Sequence, residues 1–339
     1  MNNTRTTLLI LFSLVLGTHA SLAEKTTITT SATPQTTITD KRMIVFGDSY
    51  SDNGNDYKLS GNKYPNSNAY YQGRFSNGPV WVEYFAKLLG INPDDSSQLI
   101  DLAYGQAKIL APTSITVHGS PDKQYAIPNL AGQIDAYEQH YKTFKPDDLV
   151  VVFISTNDFF DISPTNTQDF FLNAADQQIT QIQRLIQLGA KNSVVFNGRD
   201  VTLSPLAKML ARANTNSNDE TLIDDYLQKF RSFIQFYNHR LSTQLSRTKE
   251  VILYDVFAFD NLMAQKHVKG SRKKTVYNFN SMCYSNTSGD YQTVAGSICS
   301  DAKAFFYYDS IHTTSAINQL LAESVYRNLP SNLRTGKKH

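Results

Sequence analysis

Leu149-Val150-Val151-Val152-Phe153-Ile154-Ser155-Thr156-Asn157-Asp158 is the stretch on which the fold turns. Its first six residues are all apolar, and four of them are β-branched. A strand with one wet face alternates apolar and polar residues; an unbroken apolar run fits a central parallel strand covered on both faces. Working outward, shorter β-rich runs occur at 43–46, 99–103, 194–196 and 251–254. Helical patterns lie between and after them. Asn77 is placed to cap the first, with Pro79 in its first turn, Val80, Trp81, Tyr84, Phe85, Leu88 and Leu89 as its apolar stripe, and Gly90 as its stop. Residues 174–188 form a second, ended by Gly189. Residues 220–245 form a long third, with Leu222, Ile223, Tyr226, Phe230, Phe233, Ile234 and Tyr237 recurring at helical spacing, and 314–326 form a closing helix. Alternating strands and helices predict an α/β fold: a three-layer α/β/α sandwich around a central, mostly parallel five-stranded sheet.

In such sheets ligands bind beyond the carboxyl ends of the strands. Ser49, Gly105 and Asn157 each follow a predicted strand directly, so the pattern brings them to one edge. Asp309 and His312 lie just before the closing helix, on a loop that can reach the same edge. These groups make up the inventory of an acyl-transfer enzyme. Serine is a poor nucleophile until a base takes its proton, and His312 is the proposed base. Asp309, three residues before it, can meet Nδ1–H and leave Nε2 facing Ser49. Gly105 and Asn157, with the Ser49 N–H, are the expected oxyanion donors. Asp48 and Asp158 read as structural carboxylates that hold the turns.

The four blocks Gly47-Asp48-Ser49-Tyr50, Ala103-Tyr104-Gly105-Gln106-Ala107, Ser155-Thr156-Asn157-Asp158 and Asp309-Ser310-Ile311-His312 resemble those of the GDSL, or SGNH, hydrolases. The wider stretches 46–55 and 73–81 resemble the bacterial secreted branch, which holds phospholipases A, lysophospholipases, thermolabile haemolysins and glycerophospholipid:cholesterol acyltransferases. The resemblance covers roughly residues 42–328 and implies the SGNH hydrolase fold, a Ser49–His312–Asp309 triad and lipid ester substrates. The chain departs from the family's usual pattern in four places. Gln106 replaces a frequent second glycine, Ser155 replaces an opening glycine, and Arg199 and Thr313 stand where proline is common.

The chain has 339 residues with 32 Lys and Arg against 30 Asp and Glu, so no large positive field favours nucleic acid. Residues 1–23 read as a cleavable signal peptide, with Arg5 before the apolar stretch 8–16 and Ser21-Leu22-Ala23 at the cleavage site. The expected localisation is therefore secreted, either extracellular or periplasmic. Thr-rich residues 24–40 read as a flexible linker, 41–330 as a single hydrolase domain and 331–339 as a basic tail. Cys283 and Cys299 are the only cysteines, and export permits a disulfide between them. The enclosed loop has little to pack with; it is read as a staple, a brace for the base-bearing segment, or a lid that an activating protease could release. The basic cluster 266–274 is a solvated loop or a contact for anionic lipid at a membrane surface. No histidine pair has zinc-ligand spacing and no phosphate-binding glycine loop occurs, so neither metal nor cofactor is expected.

The function expected is a secreted serine hydrolase of lipid esters, of the phospholipase A or lysophospholipase kind. The alternatives are an acyltransferase to cholesterol or another alcohol, a short-chain or carbohydrate esterase, and a catalytically silent secreted binding protein.

Overall fold

The computed structural model describes residues 41–117, 120–161, 168–265, 277–286 and 290–334. The expected signal peptide, linker, basic cluster and most of the basic tail lie outside them. The strands are β1 (Met43–Gly47), β2 (Leu99–Asp101), β3 (Thr113–Val117), β4 (Ser120–Ile127), β5 (Leu149–Phe153), β6 (Asn192–Phe196), β7 (Val251–Tyr254), β8 (Asn278–Met282) and β9 (Phe305–Tyr307). The α-helices are α1 (Asn55–Leu59), α2 (Trp81–Leu88), α3 (Leu130–Tyr141), α4 (Thr156–Phe159), α5 (Gln168–Gln187), α6 (Pro205–Thr215), α7 (Glu220–Leu245), α8 (Val256–Gln265) and α9 (Ser315–Asn328).

The main sheet has five strands in the order β2-β1-β5-β6-β7, every neighbouring pair parallel. The run at 149–153 is its centre, and all five of its residues are buried. Successive residues of a strand face opposite sides, which sorts the core into two layers. Ile44, Phe46, Val150, Val152 and Val195 pack against α3, α5 and α7. Met43, Val45, Val151, Phe153 and Phe196 pack against α2, α8 and α9. The result is the expected three-layer sandwich. Its helices are held mainly by these apolar faces, since burying one Val, Leu, Ile or Phe side chain is worth roughly 1.5–3 kcal/mol.

Four local readings need correction. The helix after Pro79 begins at Trp81, and Asn77 does not cap it. The Val80 N–H is met by the Glu83 carboxylate at 2.8 Å, and Asn77 Oδ1 accepts the Ser315 N–H of α9 at 2.8 Å. The second expected helix starts earlier, at Gln168, and buries Phe171 in its first turn. The third matches residue for residue, but Leu222 at its first turn is 47% exposed. The second strand ends at Asp101. Asp101 Oδ1 there accepts the Ala103 N–H, turning the chain out of the sheet. The antiparallel β3–β4 pair and α3 carry weak periodicity and were not anticipated from sequence.

Candidate active site

The chain leaves β1 through Gly47. A Cβ there would lie 2.8 Å from the Phe153 carbonyl, so only glycine lets the two strand ends approach. Buried Gln133 of α3 clamps this strand end from both sides. Its Oε1 accepts the Gly47 N–H and its Nε2 donates to the Gly47 carbonyl, each at 2.9 Å. The backbone then folds over Asp48, whose carbonyl accepts the N–H groups of Ser51 and Asp52. This turn presents Ser49, 7% exposed, at the carboxyl end of the sheet.

His312 arrives from the loop between β9 and α9. Its Nε2 lies 2.8 Å from Ser49 Oγ, and its Nδ1 lies 2.7 Å from Asp309 Oδ2. Asp309 shapes the loop that carries it, because its Oδ1 accepts the N–H groups of Ile311 at 2.9 Å and His312 at 2.7 Å. Burial pushes the Asp309 carboxyl upward; the His312 charge, its hydrogen bond and these two backbone N–H groups outweigh that and hold it below the usual carboxylate value. Asp309 Oδ2 also accepts the buried Tyr70 hydroxyl at 2.9 Å. Tyr70 was not singled out in the sequence, where nothing links it to residue 309.

Aromatic rings enclose the imidazole. Phe75, Tyr291 and Tyr50 have ring centroids 5.1, 5.5 and 5.7 Å from that of His312. The Tyr50 hydroxyl donates to the Ile311 carbonyl at 2.9 Å, which ties the residue after Ser49 to the residue before His312. Tyr291 lies within the segment between Cys283 and Cys299, which are joined by a disulfide. This corrects the expectation that the loop has little to pack with: Tyr291 also meets Tyr64, Tyr70 and Phe75. Its carbonyl accepts the Asn66 N–H at 2.8 Å.

The expected oxyanion donors are arranged unevenly. Among the described residues no acceptor bonds the Ser49 N–H. Asn157, at the start of α4, donates from Nδ2 to the Ala107 carbonyl at 2.9 Å and keeps its second amide hydrogen. The Gly105 N–H is already engaged, donating to Asp52 Oδ2 at 3.1 Å. Gly105 is nevertheless sterically required, since a Cβ there would lie 2.4 Å from Asp56 Oδ2 and 2.5 Å from Phe75 Cζ. Asp52 is the hub of this region. Its Oδ1 accepts the N–H groups of Gly54 and Asn55, and its Oδ2 those of Asp56 and Gly105.

Asp48 and Asp158 hold backbone, as expected. Asp48 Oδ1 accepts the Tyr50 N–H at 3.1 Å, and burial pushes its carboxyl up to about 6. Asp158 accepts the N–H groups of Ile109 and Leu110 at 2.8 and 3.1 Å, and burial likewise pushes it up to about 6. Arg199, which stands where proline is common in the family, is buried. It forms a bidentate pair with buried Asp260 at 3.0 and 2.7 Å, and its guanidinium carbon lies 4.4 Å from the centre of the Tyr50 ring. Among the described residues no group of three or more His, Cys, Asp or Glu side chains is arranged to hold a metal ion.

Comparison with known proteins agrees with this architecture. The family model for GDSL-like lipase/acylhydrolase matches residues 43–325. A phosphatidylcholine-sterol acyltransferase of Aeromonas hydrophila is 32% identical over 167 residues, covering 49% of this chain and 47% of that protein. A thermolabile hemolysin of Vibrio parahaemolyticus is 26% identical over 297 residues, covering 84% of this chain and 62% of that one. The chain thus spans about half to three-fifths of the length of these two relatives. A GDSL esterase/lipase of Arabidopsis thaliana is 26% identical over 301 residues, covering 80% of this chain and 83% of its own. A solved G-D-S-L family structure from Veillonella parvula overlaps 85% of this chain at 11% identity with a TM-score of 0.42, too loose a likeness to carry an argument.

Proposed function

The chain belongs to the GDSL-like lipase/acylhydrolase family, and from that premise we propose that it is a lipolytic ester hydrolase working through Ser49, His312 and Asp309. The observation that carries this reading is the continuous hydrogen-bonded line from Ser49 Oγ through His312 to Asp309, with spans of 2.8 and 2.7 Å. Its members are separated by up to 263 positions in sequence. Ser49 Oγ attacks the acyl carbonyl carbon while His312 Nε2 takes the hydroxyl proton. Asp309 keeps the proton on Nδ1 and stabilises the imidazolium. The carbonyl electron pair moves to oxygen, where the Ser49 N–H, which has no acceptor among the described residues, and the second Asn157 amide hydrogen can donate to it. Collapse expels the alcohol, which takes the proton from Nε2, and leaves an acyl-Ser49 ester. Water then attacks that ester with His312 again as base, releasing the fatty acid.

The substrates proposed are phospholipids and lysophospholipids. Support comes from the sequence resemblance to the bacterial secreted branch and from the names of the acyltransferase and hemolysin relatives. The acyltransferase relative also favours a second reading, in which a sterol hydroxyl replaces water at the second step. One assay separates the readings. The protein is incubated with phosphatidylcholine vesicles with and without cholesterol, and free fatty acid and cholesteryl ester are measured together, with Ser49→Ala as control. Fatty acid alone supports hydrolysis; cholesteryl ester supports transfer. Release of neither product, with turnover only of short-chain or sugar esters, rejects lipid specificity. Equal turnover by folded Ser49→Ala rejects the nucleophile.

Export is proposed with cleavage after Ala23, and residues 41–330 as the single catalytic domain. An intact mass of the secreted protein that retains Arg5 would overturn the first. A membrane surface as the place of action and an activating protease remain proposals of the same kind, approached through vesicle co-sedimentation and limited proteolysis.

A further inference from the structure

The turn that carries Gly105 holds its residues in an unexpected order. The Ala107 N–H donates to the Tyr104 carbonyl at 3.2 Å, closing a β-turn with Gly105 and Gln106 at its centre. Gln106 has φ of +62°, whereas Gly105 is not left-handed. The third position of such a turn normally belongs to glycine, because a side chain there is strained against its own backbone. The strain is held in place from outside, since Gln106 Nε2 donates to the Tyr64 hydroxyl at 2.7 Å. Of the three successive amides, Gly105 has Asp52 as acceptor and Ala107 has Tyr104. Among the described residues the Gln106 N–H has none.

The turn is fastened to both neighbouring donors. The Tyr104 N–H donates to the Gly47 carbonyl at 3.3 Å, at the strand end that leads into Ser49. The Ala107 carbonyl accepts from Asn157 Nδ2 at 2.9 Å. Backbone strain held by surrounding contacts clusters at functional sites. Gly105 and Ala107 are buried and Gln106 is half-buried, and a braced turn that leaves one amide unbonded while tied to the strand end leading into the nucleophile suits a developing oxyanion. We infer that the Gln106 backbone N–H, rather than that of Gly105, is the third oxyanion donor, alongside the Ser49 N–H and the Asn157 amide. Gly105 is then the sterically obligatory joint of the turn, and Asp52 is a positioning residue that fixes the turn by holding the Gly105 N–H. The inference rests on the Ser49–His312–Asp309 reading.

Backbone esters test it. Glycolic acid at position 105 removes only that N–H. Lactic acid at position 106 removes the other and is compared with Gln106→Ala, which has the same side chain. Full-length protein is assayed for ester hydrolysis and thermal unfolding. The 106 ester is expected to lose about 10²-fold or more in kcat relative to Gln106→Ala, with its melting temperature nearly unchanged because no folded-state hydrogen bond is lost. The 105 ester is expected to lose far less activity but to melt earlier, because the bond to Asp52 is gone. Gln106→Gly, which relieves the strain and keeps the N–H, is expected to stay within roughly tenfold of wild-type activity, well short of the loss from removing an oxyanion donor. A larger activity loss at 105 than at 106, or equal losses, overturns the inference, as does an inactive but folded Gln106→Gly. Fluorophosphonate labelling of the wild type separates the two levels. With an adduct on Ser49 and a loss at 105 that equals or exceeds the loss at 106, only the donor assignment falls; with no adduct on Ser49, the triad reading and this inference fall together.

Discussion

At Asp309 burial and bonding pull in opposite directions, and bonding prevails. The carboxylate accepts two backbone N–H groups, the His312 Nδ1–H and the Tyr70 hydroxyl. Asp309→Asn keeps the shape but favours the wrong imidazole tautomer. A loss of roughly 10⁴ in kcat is expected from the general triad case; near-wild-type turnover would assign the orienting role elsewhere. Because the folded-state value is depressed, the Asp309 contribution to stability is present above the ordinary carboxylate value of about 3.9 and is lost as pH falls through the folded value. Tyr70→Phe removes one bond to Asp309 Oδ2 and should shift the acid limb of the pH–rate profile; an unmoved limb would reduce Tyr70 to packing. Asp48 has the opposite sign. Its folded-state value, raised to about 6, makes its contribution fully present below about 3.9 and lost as pH rises through about 6. Asp48→Asn should therefore be more favourable to stability at pH 7.5 than at pH 4, by about 2–3 kcal/mol at most. Urea unfolding at the two pH values measures this, and a pH-independent difference would contradict it.

Among the elements, those with long unbroken patterns were the legible ones. The apolar run of β5 and the helical period sustained over the 26 residues of α7 were read directly from sequence, as were the glycine stops at Gly90 and Gly189, both with positive φ. Helix α3 was missed because its buried side, Leu130, Gln133, Ile134 and Tyr137, includes the glutamine that clamps Gly47. A polar residue placed for its hydrogen bonds breaks the very period that reveals a helix. The role of Asn77 was misread for a related reason. A capping side chain is identifiable next to its helix, but this one serves α9, 238 positions away. Asn77→Ala should cost about 1 kcal/mol by unfolding. A cost near zero would mean that solvent replaces that bond.

At the scale of the whole molecule, the order of the four blocks carried the site, and topology converted that order into proximity. Parallel strands deliver Ser49, the 104–107 turn and Asn157 to one edge. The facts that escaped sequence reading are those no linear pattern encodes: the occupied Gly105 N–H, the Tyr70 bond to Asp309, and the buried Arg199–Asp260 pair. The disulfide segment belongs to this scale too, since Tyr291 packs beside His312. Replacing both Cys283 and Cys299 by serine should cost about 3 kcal/mol on the chain-entropy account and lower turnover. Lost stability with unchanged turnover would leave the loop a staple without influence on the base.

Ser49 is the residue that becomes acylated in the proposed mechanism, and active-site labelling reads that modification without an assumed substrate. Full-length wild type, Ser49→Ala and His312→Ala are treated with a fluorophosphonate, digested, and mapped by mass spectrometry. One stoichiometric adduct is expected, on the peptide containing Ser49, absent in Ser49→Ala and formed far more slowly in His312→Ala. An adduct on a different serine, or an unmodified Ser49 in a preparation that turns over ester, would contradict it.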